Sequence, residues 1–60
     1  MRTTVYENQY HDIFIVNEFH ENYYVCTYVN IDRVEPEAFV VHSKAEVDAL
    51  IKVYAVIDTL

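Results

Sequence analysis

Sixty residues make one domain at most, and a chain of that length buries only about 60% of the surface its unfolded form exposes. Such chains usually rely on disulfides, a metal or a second subunit, and a single cysteine, Cys26, excludes an internal disulfide. A hydrophobic fraction of 53% excludes a disordered tail, and a net charge of −6 argues against direct binding to nucleic-acid phosphates, which takes Lys and Arg.

No apolar run reaches the roughly 18 residues of a membrane span, and no basic-then-apolar leader opens the chain. The expected setting is a reducing cytoplasm, with no membrane partner. Glycine is absent, which removes the glycine-rich phosphate cradles of nucleotide enzymes. Turns that need positive φ must then fall to Asn or Asp, the next most tolerant residues.

Met1–His11 is polar and aromatic without a clear period and is expected to be a flexible arm, although Thr3–Tyr6 has the composition of a short strand. Asp12–Val16 predicts a strand with Ile13 and Ile15 on one face, Phe14 and Val16 on the other. Asn17–Asn22 reads as a hairpin loop. Tyr23–Val29, built almost wholly of aromatic and β-branched residues, is the strongest strand, with Tyr23, Val25, Thr27 and Val29 opposite Tyr24, Cys26 and Tyr28. Pro36 excludes a central strand from Asn30–Glu37, and Ala38–His42 predicts a third strand.

Ser43 and Glu46 have the spacing of a helix capping box. Val47, Leu50, Ile51 and Tyr54 then form one helical stripe, and Ala49, Val53, Val56 and Leu60 a second. The predicted helix has about four turns, although Val53–Ile57 taken alone could pass for a strand. The expected fold is α+β over residues 1–60: a three-stranded antiparallel sheet and one C-terminal helix, in the order β-β-β-α.

One helix covers one face of such a sheet. The other face and the second helical stripe would stay bare, and monomers seldom tolerate a contiguous apolar patch of that kind. A homodimer through Tyr23, Val25, Val53 and Val56 would bury both. The alternative is a monomer whose N-terminal arm folds back as a cover.

Reactive chemistry is sparse. His11, His20 and His42 do not repeat at metal-ligand spacing, and Cys26 has no second cysteine for a zinc site. Cys26 sits between Val25 and Thr27 in a hydrophobic strand, whereas a nucleophilic thiolate needs exposure beside a cation. Glu35 and Glu37 straddle Pro36 in a wet connection, unlike a carboxylate pair with one buried member. The chain is therefore expected to be a non-enzyme without metal or cofactor. What remains is an acidic surface: Glu18, Glu21, Asp32, Glu35, Glu37, Glu46 and Asp48. It is either a solvated rim or a mimic of nucleic-acid charge aimed at a basic cleft.

From Asp12 to Leu60 the chain resembles the small dimeric uracil-DNA glycosylase inhibitors of Bacillus phages. The likeness rests on Asp12-Ile13 opening a hydrophobic strand, the doublet Tyr23-Tyr24, Glu37-Ala38-Phe39-Val40-Val41, and an acidic helix start running into Asp48-Ala49-Leu50-Ile51-Lys52. It implies a homodimer of three-stranded sheets with one helix each, acting in the host cytoplasm by occupying the glycosylase's DNA-binding cleft. Phe39 would be the interface aromatic, with Glu35, Glu37, Tyr24, Tyr28 and Val40 around it. The chain departs from the family pattern at Val25, Val40 and Ser43, where acidic residues or a further tyrosine are expected; Glu35 and Glu37 are the available replacements. A glycosylase of this kind extrudes its base, and an apolar wedge pushed into the stack would find a greasy socket in such an inhibitor. Two other readings stay open: the same mimicry aimed at restriction, CRISPR or transcription machinery, and a plain dimerisation module.

Overall fold

The computed structural model describes residues 1–33 and 35–60. Five strands and one short helix follow one another as β1 (Arg2–Glu7), β2 (Ile13–His20), β3 (Tyr23–Val29), β4 (Glu37–Val41), α1 (Lys44–Leu50) and β5 (Ala55–Thr59). The strands form one antiparallel sheet in the order β4-β3-β2-β1-β5.

The α+β class stands, but the sheet has five strands where three are expected. The N-terminal segment is not an arm. Arg2–Glu7 pairs with β2 on one side and β5 on the other, so its alternation of Thr, Val and Tyr is that of an interior strand. β2 also continues through Asn17–His20, leaving only Glu21 and Asn22 as the turn. Asn22 supplies the left-handed φ of 57° that a tight turn needs. The second such residue is His11, at φ 68°, held in a turn where Asn8 Oδ1 accepts from the backbone N–H groups of Tyr10 and Asp12 at 2.9 and 3.0 Å.

The helix starts where the capping signal puts it. Ser43 has extended backbone, and its hydroxyl accepts from the Glu46 N–H. It ends at Leu50, two turns short of the expected length. Val53, Val56 and Ile57 are β-branched and resist helix, and β1 has an edge whose backbone groups need partners. Pairing with β1 satisfies them. Tertiary hydrogen bonding thus overrides a helical spacing that the sequence carries in full.

One sheet face carries the core. Phe14, Val16, Tyr24, Cys26 and Val41 are buried there beneath Val47 of the helix, with Tyr6, Tyr28, Ile51 and Tyr54 packed around them. Phe14 is central: its ring meets Phe39 edge-on at 6.1 Å and Tyr54 at 5.7 Å. At one end of the strands the buried Asp12 ties three segments together. Its carboxylate accepts from Asn8 Nδ2 at 3.1 Å, and from the Tyr28 hydroxyl and the Ile31 N–H at 3.4 Å each. No helix among the described residues is long and apolar enough to cross a membrane.

Candidate partner-binding surface

Three surface features follow from this arrangement. The first is the sheet face turned away from the helix. Val5, Ile13, Ile15, Val25, Thr27 and Val29 lie on it, each half-buried by its neighbours, and no helix packs over them among the described residues. Two polar residues on it, Thr3 and Asn17, are joined by a 2.7 Å hydrogen bond from the Thr3 hydroxyl to Asn17 Oδ1. Across β2, β3 and β4 this face carries no Asp, Glu, Lys or Arg. On a chain with fourteen such residues, that segregation marks this part of the face as distinct, with Glu7 of β1 and Asp58 of β5 on its far side.

The second is a groove of about 390 Å³ between the outer edge of β4 and α1, lined by Phe39, Val40, Val41, Glu46, Ala49 and Leu50. Val41 is buried, whereas Phe39, Val40 and Leu50 are 37%, 48% and 41% exposed. Glu46 adds a carboxylate to a wall that is otherwise apolar. Nearby acidic groups are partly compensated, since Arg33 pairs with Glu37 and Lys44 with Asp48. Among the described residues no ion pair engages Glu35 or Glu46.

The third is an aromatic cluster at the tip of the β2–β3 hairpin, where Phe19, His20, Tyr23 and Val25 line a cavity of about 410 Å³. Tyr23 meets Phe19 edge-on at 6.1 Å, His20 at 5.1 Å and His42 edge-on at 5.6 Å.

The expected partner-binding residues divide between these places. Phe39 and Val40 line the groove together. Glu37 starts β4 and is exposed beside it, and Glu35 is exposed in the preceding connection. Tyr24 is only 6% exposed beneath the helix, so burial removes it from any docking surface. Tyr28 turns its hydroxyl to Asp12 and receives the Asn30 amide at 2.9 Å, which makes it a strut of the strand ends. The expected dimer residues also part company. Tyr23 and Val25 share the open face, but Val53 lies in the turn after α1 at 76% exposure, and Val56 sits on β5 opposite Tyr6, on the helix side.

The groove residues Glu46, Ala49 and Leu50 are missing from the expected set because their spacing reads as helix cap and helix stripe. Phe19, His20 and His42 are missing because in the sequence they fall in the expected Asn17–Asn22 loop and at the end of the Ala38–His42 strand. A cross-strand register is needed to bring them to Tyr23.

Reactive groups are muted. Burial pushes the Cys26 thiol above its ordinary value, so it stays protonated at neutral pH. Burial likewise raises the Tyr54 hydroxyl, helped by Tyr28 and the Asp12 carboxylate and opposed by a hydrogen bond with Asn8. The described residues contain no group of three or more His, Cys, Asp or Glu placed to hold a metal ion. The chain matches no protein-family model, no curated protein and no solved structure.

Proposed function

We propose that this protein is an inhibitor of a host uracil-DNA glycosylase, a homodimer that sits in the enzyme's basic DNA cleft and takes its apolar wedge side chain into the β4–α1 groove. The single observation that carries this reading is the groove itself. It joins Phe39 and Val40 to Leu50 and Ala49, keeps them accessible, and sets the Glu46 carboxylate among them. A net charge of −6 draws the chain to a cationic cleft and speeds encounter. The choice of a glycosylase among DNA-processing enzymes comes from the likeness of Asp12–Leu60 to the phage inhibitors.

The dimer part of the reading rests on charge. Two copies of an anionic chain repel except where they carry no charge, and the helix-free face of β2, β3 and β4 is such a place. With strands about 4.8 Å apart and residues about 3.3 Å apart, the uncharged three-stranded part of that face has a projected area on the order of 300 Å², and Glu7 of β1 and Asp58 of β5 lie at its margin. Val40 lies on this face and also lines the groove, so the socket would open beside the dimer seam.

The test is a uracil-excision assay with the purified chain added. The wild-type chain should abolish excision. Phe39→Ala should weaken the complex by about 2 kcal/mol, roughly thirtyfold in Kd, and higher salt should slow association. Undiminished excision would end the glycosylase reading. Full inhibition by a folded Phe39→Ala chain would move the contact away from the groove.

A further inference from the structure

The two ends of the sheet are not equivalent. β5 is bulged: its register against β1 shifts between Val5 and Tyr6, which breaks the even spacing of its backbone groups, and Asp58 adds a charge. Bulges and charges are the usual devices that keep an edge from pairing with another chain. β4 has neither along Ala38–Val41. It pairs with β3 through five consecutive positions without a shift, and Pro36, Glu37 and the Glu37–Arg33 ion pair protect only its beginning. Among the described residues no strand pairs with its outer edge, which is therefore a regular row of open backbone donors and acceptors, and the β4–α1 groove lies along it.

An edge strand beside an apolar groove is the arrangement by which a sheet accepts an extended peptide. Main-chain hydrogen bonds give affinity, and alternate side chains enter the groove. We propose that β4 and α1 bind an extended segment of a partner protein as a sixth strand of the sheet. The segment's chemistry is an aliphatic side chain seated between Val40 and Leu50, flanked by lysine or arginine. The small Ala49 leaves room for the aliphatic group. Glu46, on the groove wall and outside the ion pairs, faces the cation, and the acidic surface repels anionic segments. The inference rests on the groove being the partner-facing surface but not on the partner's being a glycosylase.

The experiment titrates the isotope-labelled full chain with a short synthetic peptide of alternating lysine and valine, against one of alternating glutamate and valine. Amide hydrogen exchange is read by NMR. The lysine peptide should bind and slow exchange at alternate amides of Glu37–Val41, leaving β5 unchanged. Ala49→Phe, which fills the groove from an exposed helix position, should lower its affinity by about tenfold or more. Glu46→Lys should reverse the preference between the two peptides, and it carries the same discrimination if Ala49→Phe fails to fold. Absence of binding, protection on β5 in place of β4, or undiminished wild-type affinity for the lysine peptide in both variants would overturn strand addition. Because no enzyme is present, excision blocked by a chain that ignores the peptide overturns this inference alone. Peptide binding by a chain that leaves excision untouched overturns the glycosylase reading alone.

Discussion

The two faces of the sheet are built from similar side chains and meet opposite fates. Phe14, Val16, Cys26 and Val41 lie under α1 and are buried, whereas Ile13, Ile15, Val25 and Val29, one residue along the same strands, stay half-buried with no helix over them among the described residues. Strand alternation alone makes both rows, and the difference comes from a two-turn helix that can cover only one. The lesson concerns size. Sixty residues suffice for a five-stranded sheet and one lid, and the second face is left to whatever else the molecule meets.

The contrast can be broken most forcefully at Phe14. Phe14→Ala removes a ring that is 3% exposed and touches both Phe39 and Tyr54. It should cost about 3–5 kcal/mol of stability in denaturant titration. The open-face counterpart is Ile15→Asp. In the proposed dimer it would bury an unpaired charge, weakening self-association by about 3 kcal/mol, on the order of a hundredfold in Kd. Sedimentation should then give a single-chain mass with the far-ultraviolet spectrum preserved. If the wild-type chain already sediments as one subunit, the open face has some other role.

Asp12→Ala should cost about 1–3 kcal/mol, because it orphans the Ile31 N–H, the Tyr28 hydroxyl and the Asn8 amide at once. Asp12→Asn, which keeps part of that network, should lose less. A smaller effect is expected from alkali. The Cys26 thiol is raised in the folded chain, so the unfolded chain releases its proton first. Stability is then complete below the ordinary thiol value of 9.0 and falls as pH climbs past it. Cys26→Ala should flatten that part of the stability curve. The smallest loss, about 1 kcal/mol, is expected for Ser43→Ala, which removes the cap from the Glu46 N–H.

Much of this was legible before the fold. Tyr23–Val29 has the bounds its composition predicts, the opposed faces of β2 and β3 follow from alternation, and Ser43 caps the helix. Two strands are legible only as alternatives, Thr3–Tyr6 beside a flexible arm and Val53–Ile57 beside the end of a helix, for the same reason. β1 and β5 satisfy each other's backbone across most of the chain's length, and local pattern contains no record of so distant a partner. Phe39 and Val40 could be singled out as exposed anchors, but the groove that gives them a purpose needs Ala49 and Leu50 from the helix. Tyr24 is buried where the sequence predicts a partner contact, because the two residues of an aromatic doublet are equivalent until the helix covers one face.

Taken alone, the order of residues determined which side chains share a face, where the helix begins, how acidic the surface is and that no internal disulfide can form. Those properties are local or additive, set by the two-residue period of extended chain, by a hydroxyl three residues from an amide, and by counting. The tertiary structure decided how many strands there are, where the helix stops, which face is covered and which edge stays regular. Each of these depends on backbone groups finding partners far along the chain, and hydrogen bonds between distant segments leave no periodic trace in either one.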